Sequence, residues 1–241
     1  MYNIALSVFF PCYNEELNIE SLVLEAIQVL NNSVQRYEIL IINDGSTDKT
    51  GLVADRLSKG HEHVRVIHHK KNGGYGAALI SGFSNSVYEW IFFTDGDRQF
   101  FISEIQILLN EIDDHDLIIG YRKARRDPWY RILYGHTWTR LVRLLFGLKV
   151  RDINCAFKLI KKRSLDGLTL HSSGAVINTE LLAKMNFSGV RMRQVAVSHR
   201  PRMFGRQSGG SPKVVLKAYI ELFKLRKELE NYRRPNSIVY G

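Results

Sequence analysis

Hydrophobic and polar positions alternate between two periods over the first 120 residues. Five short apolar runs are rich in β-branched and aromatic residues and have the length of buried strands: IALSVFF (4–10), YEILIIN (37–43), VRVIHH (64–69), WIFFTD (90–95) and DLIIG (116–120). Between them apolar residues recur at helical spacing. Leu17, Leu22, Leu24, Ile27 and Leu30 predict one helix, and STDKTGLVADRL (46–57) a second, capped by Ser46 or Thr47 with Asp48 in its first turn. GYGAALISGF (74–83) and SEIQILLNEI (103–112) predict two more. A β-α-β-α series of this kind predicts an α/β fold with a mostly parallel central sheet and helices on both faces.

Beyond residue 120 the pattern changes. WYRILYGHTWTRLVRLLFGL (129–148) is apolar and aromatic, with Arg131, Arg140 and Arg143 interleaved. VRDINCAFKLIKK (150–162) reads as a strand pair, or a strand and a turn, and INTELLAKM (177–185) as a helix. The alternation that begins at VRMRQVAV (190–197) predicts a strand running out into a basic loop rich in Gly and Ser. PKVVLKAYIELFKLRKELENY (212–232) predicts a C-terminal amphipathic helix, with Pro212 in its first turn and Val215, Ala218, Tyr219, Leu222, Leu225 and Leu229 on one stripe. With no internal repeat or low-complexity linker, one domain is expected over 1–211, in halves 1–120 and 121–211, with 212–241 appended.

Charge narrows the class of partner. Against 24 Asp and Glu stand 34 Lys and Arg, a net charge of +10, which calls for an anion: nucleic acid, a phosphorylated substrate or an acidic membrane. The excess lies from Arg122 onward, so the anion is expected to meet the second half. No nucleic-acid module is recognisable, and nucleic acid is set aside. No apolar run approaches the ~18 residues of a spanning helix, and the N-terminus lacks the features of a signal peptide. The two cysteines, Cys12 and Cys155, suggest neither a metal pair nor a disulfide framework. The expectation is a cytoplasmic chain, at most peripheral on the cytoplasmic face of a membrane, with 129–148 and 212–232 as candidates for that contact.

Candidate chemistry gathers at the predicted strand ends: PCYNEE, NDGSTD, HHKKNGG and TDGD follow the first four strands. Each is compatible with a turn, but in parallel sheets ligands bind beyond the carboxyl ends of the strands, and four on one edge describe a site. Asp95 and Asp97 flank Gly96, and two carboxylates so close repel each other unless a cation lies between them. A Mg²⁺ or Mn²⁺ that also takes phosphate oxygens suits them, with Gln99 as a neutral ligand in reach. Asp44, and Glu15 likewise, can accept from a base N–H or a ribose hydroxyl; an Asx-turn or helix cap is the alternative for Asp44. NGGYGAAL offers backbone N–H groups at a helix start as an anion contact. His61, His63, His68 and His69 lack metal-ligand spacing.

In order and spacing, VFFPCYNEELNI, EILIINDGSTDKT, NGGYGAAL and TDGDRQF resemble the family 2 glycosyltransferases of GT-A fold. The likeness continues through GYR (120–122), VRDINCAFKLI, INTELLAKM and VAVSHRPRMFGRQSGGS, and within the family is nearest to the polyprenyl- or dolichyl-phosphate mannose or glucose synthase-like group. It implies a GT-A, Rossmann-like sheet and an inverting, metal-dependent hexosyl transfer from a UDP- or GDP-sugar. It also implies roles. Pro11, Tyr13 and Glu15 would line the nucleoside pocket and Asp44 would contact base or ribose, with Ser46, Gly74 and Asp95 completing the nucleotide contacts. Asp95, Asp97 and Gln99 would hold Mg²⁺ or Mn²⁺ on the diphosphate. Arg122 and Arg202 would act near phosphates, Asp152 would border the acceptor, and Arg131, His199, Arg200 and Arg206 would hold an acceptor phosphate. Arg98, Phe100 and NCAFK depart from the family's commoner forms, which bears on donor and acceptor identity rather than on reaction class.

A lipid monophosphate acceptor is largely dianionic at pH 7 and needs only cations, whereas a sugar hydroxyl, in polysaccharide or glycolipid synthesis, needs a general base, for which Asp152 is the candidate. A nucleotidyltransferase would carry a GxGTR loop where PCYNEE stands. A non-catalytic polyanion-binding protein would fit the charge but not the acidic strand ends.

Overall fold

The computed structural model describes residues 1–123, 129–205 and 212–232, of which 129–132, 212–215 and 230–232 are described by their backbone alone. Seven strands form one sheet: β1 (Tyr2–Cys12), β2 (Val34–Asn43), β3 (Val64–His68), β4 (Trp90–Thr94), β5 (Leu117–Arg122), β6 (Phe157–Lys161) and β7 (Met192–Val197). Their order is β3-β2-β1-β4-β6-β5-β7, and only β6 runs antiparallel to its neighbours. The helices are α1 (Ile19–Ser33), α2 (Thr50–Gly60), α3 (Tyr75–Asn85), α4 (Ile105–Leu109), α5 (Trp129–Phe146), α6 (Ile177–Phe187) and α7 (Pro212–Tyr232).

Successive strand residues point to opposite faces, so a strand covered on both sides must be apolar throughout. Leu6, Val8 and Phe10 of β1, with Ile39, Ile41 and Phe92, pack beneath α1, α2 and α4. Phe9, Leu40, Ile42, Ile91 and Phe93 pack beneath α3, α5, α6 and α7. The result is a three-layer α/β/α arrangement, as the alternation predicted. Covering each large side chain contributes roughly 1.5–3 kcal/mol, which makes the central strands the anchor for everything at their ends.

The differences from the sequence reading are local. Helix α1 begins at Ile19, and its inward face is Ile19, Leu22, Val23, Ala26 and Leu30; Leu17 and Leu24 are exposed. Neither Ser46 nor Thr47 caps α2. The Ser46 hydroxyl accepts from the Asn14 amide and the Thr47 amide donates to Asn14 Oδ1, which leaves Asp48 to accept from the Thr50 amide at 2.9 Å. The helix predicted at 103–112 shortens to α4 behind one 3₁₀ turn at Ile102–Glu104. VRDINCAFKLIKK contributes one strand, β6, wedged antiparallel between β4 and β5.

Candidate active site

The chain passes from β1 to β2 and β3 on one side of the sheet and returns to β4 on the other, so the loops after β1 and β4 part at the reversal of strand order. Ligands of open α/β sheets bind there. Gly96 lets the two sides close together: a Cβ on it would lie 2.7 Å from Cys12 Sγ and 3.2 Å from the Pro11 carbonyl. The flanking carboxylates of Asp95 and Asp97 are thereby set against the end of β1.

The two carboxylates have different surroundings. Asp95 Oδ1 is enclosed and accepts no hydrogen bond. Burial, then repulsion from Asp97, push the Asp95 pKa up to about 7 against the pull of Tyr75, Lys158 and Arg122. The enclosed Tyr75 hydroxyl lies near Asp95 and Asn178 without a well-formed bond to either. Asp97 Oδ1 accepts from the Gln99 amide at 3.1 Å, and Oδ2 lies 3.4 Å from Arg202 Nη1. The other arm of that guanidinium, Nη2, is 2.5 Å from Glu15 Oε1, and Nε donates to the Phe204 carbonyl. One arginine from the segment after β7 thus bridges the loops after β1 and β4.

An enclosed carboxylate oxygen without a donor, beside a second carboxylate, fits a hard divalent cation. No third His, Cys, Asp or Glu joins them among the described residues. Such an ion would complete its shell with water and ligand oxygens, as Mg²⁺ does when it bridges carboxylates and phosphates.

Several predicted contacts are arranged otherwise. Glu15 is bound to Arg202 and to Asn18 Nδ2 at 2.7 Å and is one end of the bridge. The Gln99 side chain donates to the Arg200 carbonyl at 3.2 Å, and the Arg200 amide donates back to the Gln99 carbonyl. Arg98, with φ of 58°, makes a left-handed turn between Asp97 and Gln99. Asp44 accepts from the amides of Gly73 and Gly74, which precede α3, each at 2.9 Å, and meets His69 Nδ1 at 2.6 Å. The Gly74 amide is therefore spent on Asp44, not on an anion. Pro11 is buried within β1, Ser46 is half-buried under Asn14, and of that group only Tyr13 stands exposed, at 42%.

On the far side of β4, Arg122 and Asp152 form a two-pronged ion pair: Nε to Oδ2 at 2.6 Å and Nη2 to Oδ1 at 2.8 Å. Arg200 lies over the Phe101 ring at 4.5 Å and donates to the Arg98 carbonyl, which ties it to the loop after β4. His199 is buried edge-on against Phe100. Arg206 and the Arg131 side chain lie outside the described residues.

Three contributors escaped the sequence reading. Tyr75, at the start of α3, is the first. Lys158 is the second: it is fully buried, and its ammonium donates to the Cys155 carbonyl, the Ile153 carbonyl and Asn178 Oδ1, while burial draws its pKa down to about 8. Glu180 is the third. It lies wholly inside α6 and accepts from the amides of His171 and Ser172 and from Lys184 Nζ at 2.5 Å. Burial raises its pKa, but Lys184 and Ser172 outweigh that and hold it below the usual carboxylate value. The segment so held presses on α3, and a Cβ on Gly76 would meet the Ser172 carbonyl at 1.9 Å. The Glu180–Lys184 pair, four apart and the only charged residues of α6, was the available signal.

A model of glycosyl transferase family 2 matches residues 7–169, about two thirds of the chain. Among solved structures, glucosyl-3-phosphoglycerate synthase from Mycobacterium tuberculosis in complex with UDP aligns with a TM-score of 0.73 at 18% identity, over 93% of this chain and 80% of that one. The same enzyme with Mn²⁺, UDP and glucosyl-3-phosphoglycerate aligns at 0.74 and 19%, over 93% and 80%. Its Mg²⁺ and UDP complex aligns at 0.72 and 18%, over 93% and 80%. At that identity the likeness is one of fold.

Proposed function

The chain belongs to glycosyl transferase family 2, and from that premise we propose that it transfers a sugar, with inversion, from a nucleoside diphosphate donor to the phosphate of a lipid acceptor. The nucleotide-sugar glycosyltransferase reading follows from the family; the acceptor and the metal are our inference.

One observation carries the choice of acceptor. Among the described residues from Tyr121 to Gly205 the only acids are Asp152, Asp166 and Glu180. Asp152 is bound to Arg122 through both oxygens, and Glu180 is closed in by two backbone amides and Lys184. Asp166 is exposed beyond the C-terminal end of antiparallel β6, at the opposite end of the sheet from the cleft. A sugar hydroxyl needs a base to take its proton in the transition state. A phosphate monoester arrives already ionised at neutral pH and needs only cations, which this half of the chain has in excess.

A divalent ion on Asp95 and Asp97 would neutralise the diphosphate as it departs. The chain's own residues do the rest. Arg202 holds the loops after β1 and β4 at a fixed spacing and puts a guanidinium beside the diphosphate position. Arg122, oriented by Asp152, faces the acceptor side. The acceptor oxygen forms a bond to the anomeric carbon as the bond from that carbon to the diphosphate breaks, the electron pair leaves with the nucleoside diphosphate, and no proton is transferred. UDP-glucose is the first donor to test, since the aligned structures hold UDP. The measurement is transfer of radiolabelled sugar to a short polyprenyl phosphate and to the corresponding polyprenol, with Mn²⁺. Product from the phosphate alone supports the reading; transfer to a hydroxyl acceptor alone overturns it.

A further inference from the structure

Helix α7 has two apolar faces where one would suffice for folding. Leu222, Leu225 and Leu229 are buried against the sheet layer. On the opposite side Leu216, Ile220 and Phe223, at i, i+4 and i+7, are exposed by 64%, 51% and 56%. Helix α5 repeats the device: Trp138, Val142 and Phe146 are buried, while Leu133 and Leu144 are exposed outward, Leu144 by 82%. The two helices lie side by side. Trp138 meets Tyr219 edge-on at 5.4 Å, and Arg226 donates to the Leu145 carbonyl. Both contacts join residues 81 apart, so the helices run in the same direction and their outward faces form one surface.

We infer that this surface, the outward faces of α5 and α7, docks on an anionic lipid bilayer. Exposed Arg140 and Arg143 on α5, and Lys217, Lys224 and Lys227 on α7, surround the apolar positions. Between Trp129 and Phe146 there is no acid at all, and on α7 only Glu221, Glu228 and Glu230. A second copy of the chain would set cations against cations across so basic a face, whereas acidic headgroups complement it while the leucines, isoleucine and phenylalanine enter the acyl boundary. Among the described residues no helix is long and apolar enough to cross a membrane, and the proposed binding is in the plane of the interface. The inference deepens the proposed lipid acceptor but is tested without it.

The test is co-sedimentation of the full chain with phosphatidylcholine vesicles, with and without about a third phosphatidylglycerol. Wild type should bind the anionic vesicles, and less so at 0.5 M salt. Ile220→Ser/Phe223→Ser keeps every charge and should weaken binding at least tenfold. Lys224→Gln/Lys227→Gln should weaken it by about fivefold for each cation removed. Equal binding by wild type and the Ile220/Phe223 variant would overturn the inference, because bare net charge would then suffice. So would self-association in sedimentation equilibrium that disappears in that variant, which would make the face an interface between copies. UDP binding measured on the same proteins in solution separates the cases: its absence from wild type would sink the transferase reading and leave the vesicle result standing.

Discussion

Replacing Asp152 by asparagine separates a base from a positioning residue. The wild-type carboxylate accepts two guanidinium N–H groups, at 2.6 and 2.8 Å, and both partners are close to nine-tenths buried. Asparagine keeps the shape but offers Arg122 one neutral acceptor in place of two charged ones. A charge-assisted bond is worth about 1.5–3 kcal/mol, so a loss of about 2 kcal/mol is expected. For a chain of this size that lowers Tm by roughly 4–8 °C. The activity consequence follows from the role. A positioning residue leaves Arg122 less well placed, so kcat/KM for a phosphate acceptor should fall about tenfold with the pH profile unchanged in shape. A general base would cost 10²–10⁴-fold and erase the acid limb of the profile. The assay is kcat/KM from pH 5.5 to 9 for both proteins, beside a thermal melt. A drop beyond a hundredfold with loss of the acid limb and an unmoved Tm would refute the reasoning.

With two carboxylates and no third ligand group among the described residues, Mn²⁺ should bind feebly alone and much more tightly with UDP; calorimetry should show that coupling, and Asp97→Asn should remove it. Asp95 is raised to about 7 from an unfolded value near 4, so without metal the folded state keeps a proton the unfolded chain has lost, and stability should decline as pH climbs from about 4 through 7. Mn²⁺ with UDP should flatten that decline, as melts across the range would show. Glu180→Gln leaves Lys184 buried without its counter-charge and should cost about 3–5 kcal/mol in urea unfolding. Gly76→Ala sets a methyl where the Ser172 carbonyl stands and should lower Tm by several degrees, with UDP affinity falling as α3 shifts.

The layers of this fold were legible because both-face burial writes itself into sequence: a strand such as WIFFT runs four apolar residues before its single threonine. The cleft was legible for a related reason, since polar residues at parallel strand ends have little else to do. What escaped was pairing. Arg202 and Glu15 are 187 residues apart, and nothing local in either motif states that one occupies the other. Asp44 is bound by the amides of Gly73 and Gly74, two donors that only tertiary structure could bring within its reach. Leu216, Ile220 and Phe223 fall off the buried stripe of α7, and their shared outward face shows only once Leu222, Leu225 and Leu229 are packed.

The bridge made by Arg202 also fixes when the cleft comes into being. Strand β7 lies at one margin of the sheet, yet the residues after it cross back to β4 and β1, where the Arg200 amide meets the Gln99 carbonyl and the Phe204 carbonyl accepts from Asn18. A nascent chain that has reached residue 169, the end of the family match, has its nucleotide loops but not the guanidinium that holds them, and its β5 has no partner on the β7 side. The cleft is finished only after β7 and the residues through Phe204 have emerged from the ribosome. A fragment cut at that match would carry an open strand and two buried acids, Glu15 and Asp97, without Arg202, which is a recipe for aggregation rather than a minimal enzyme.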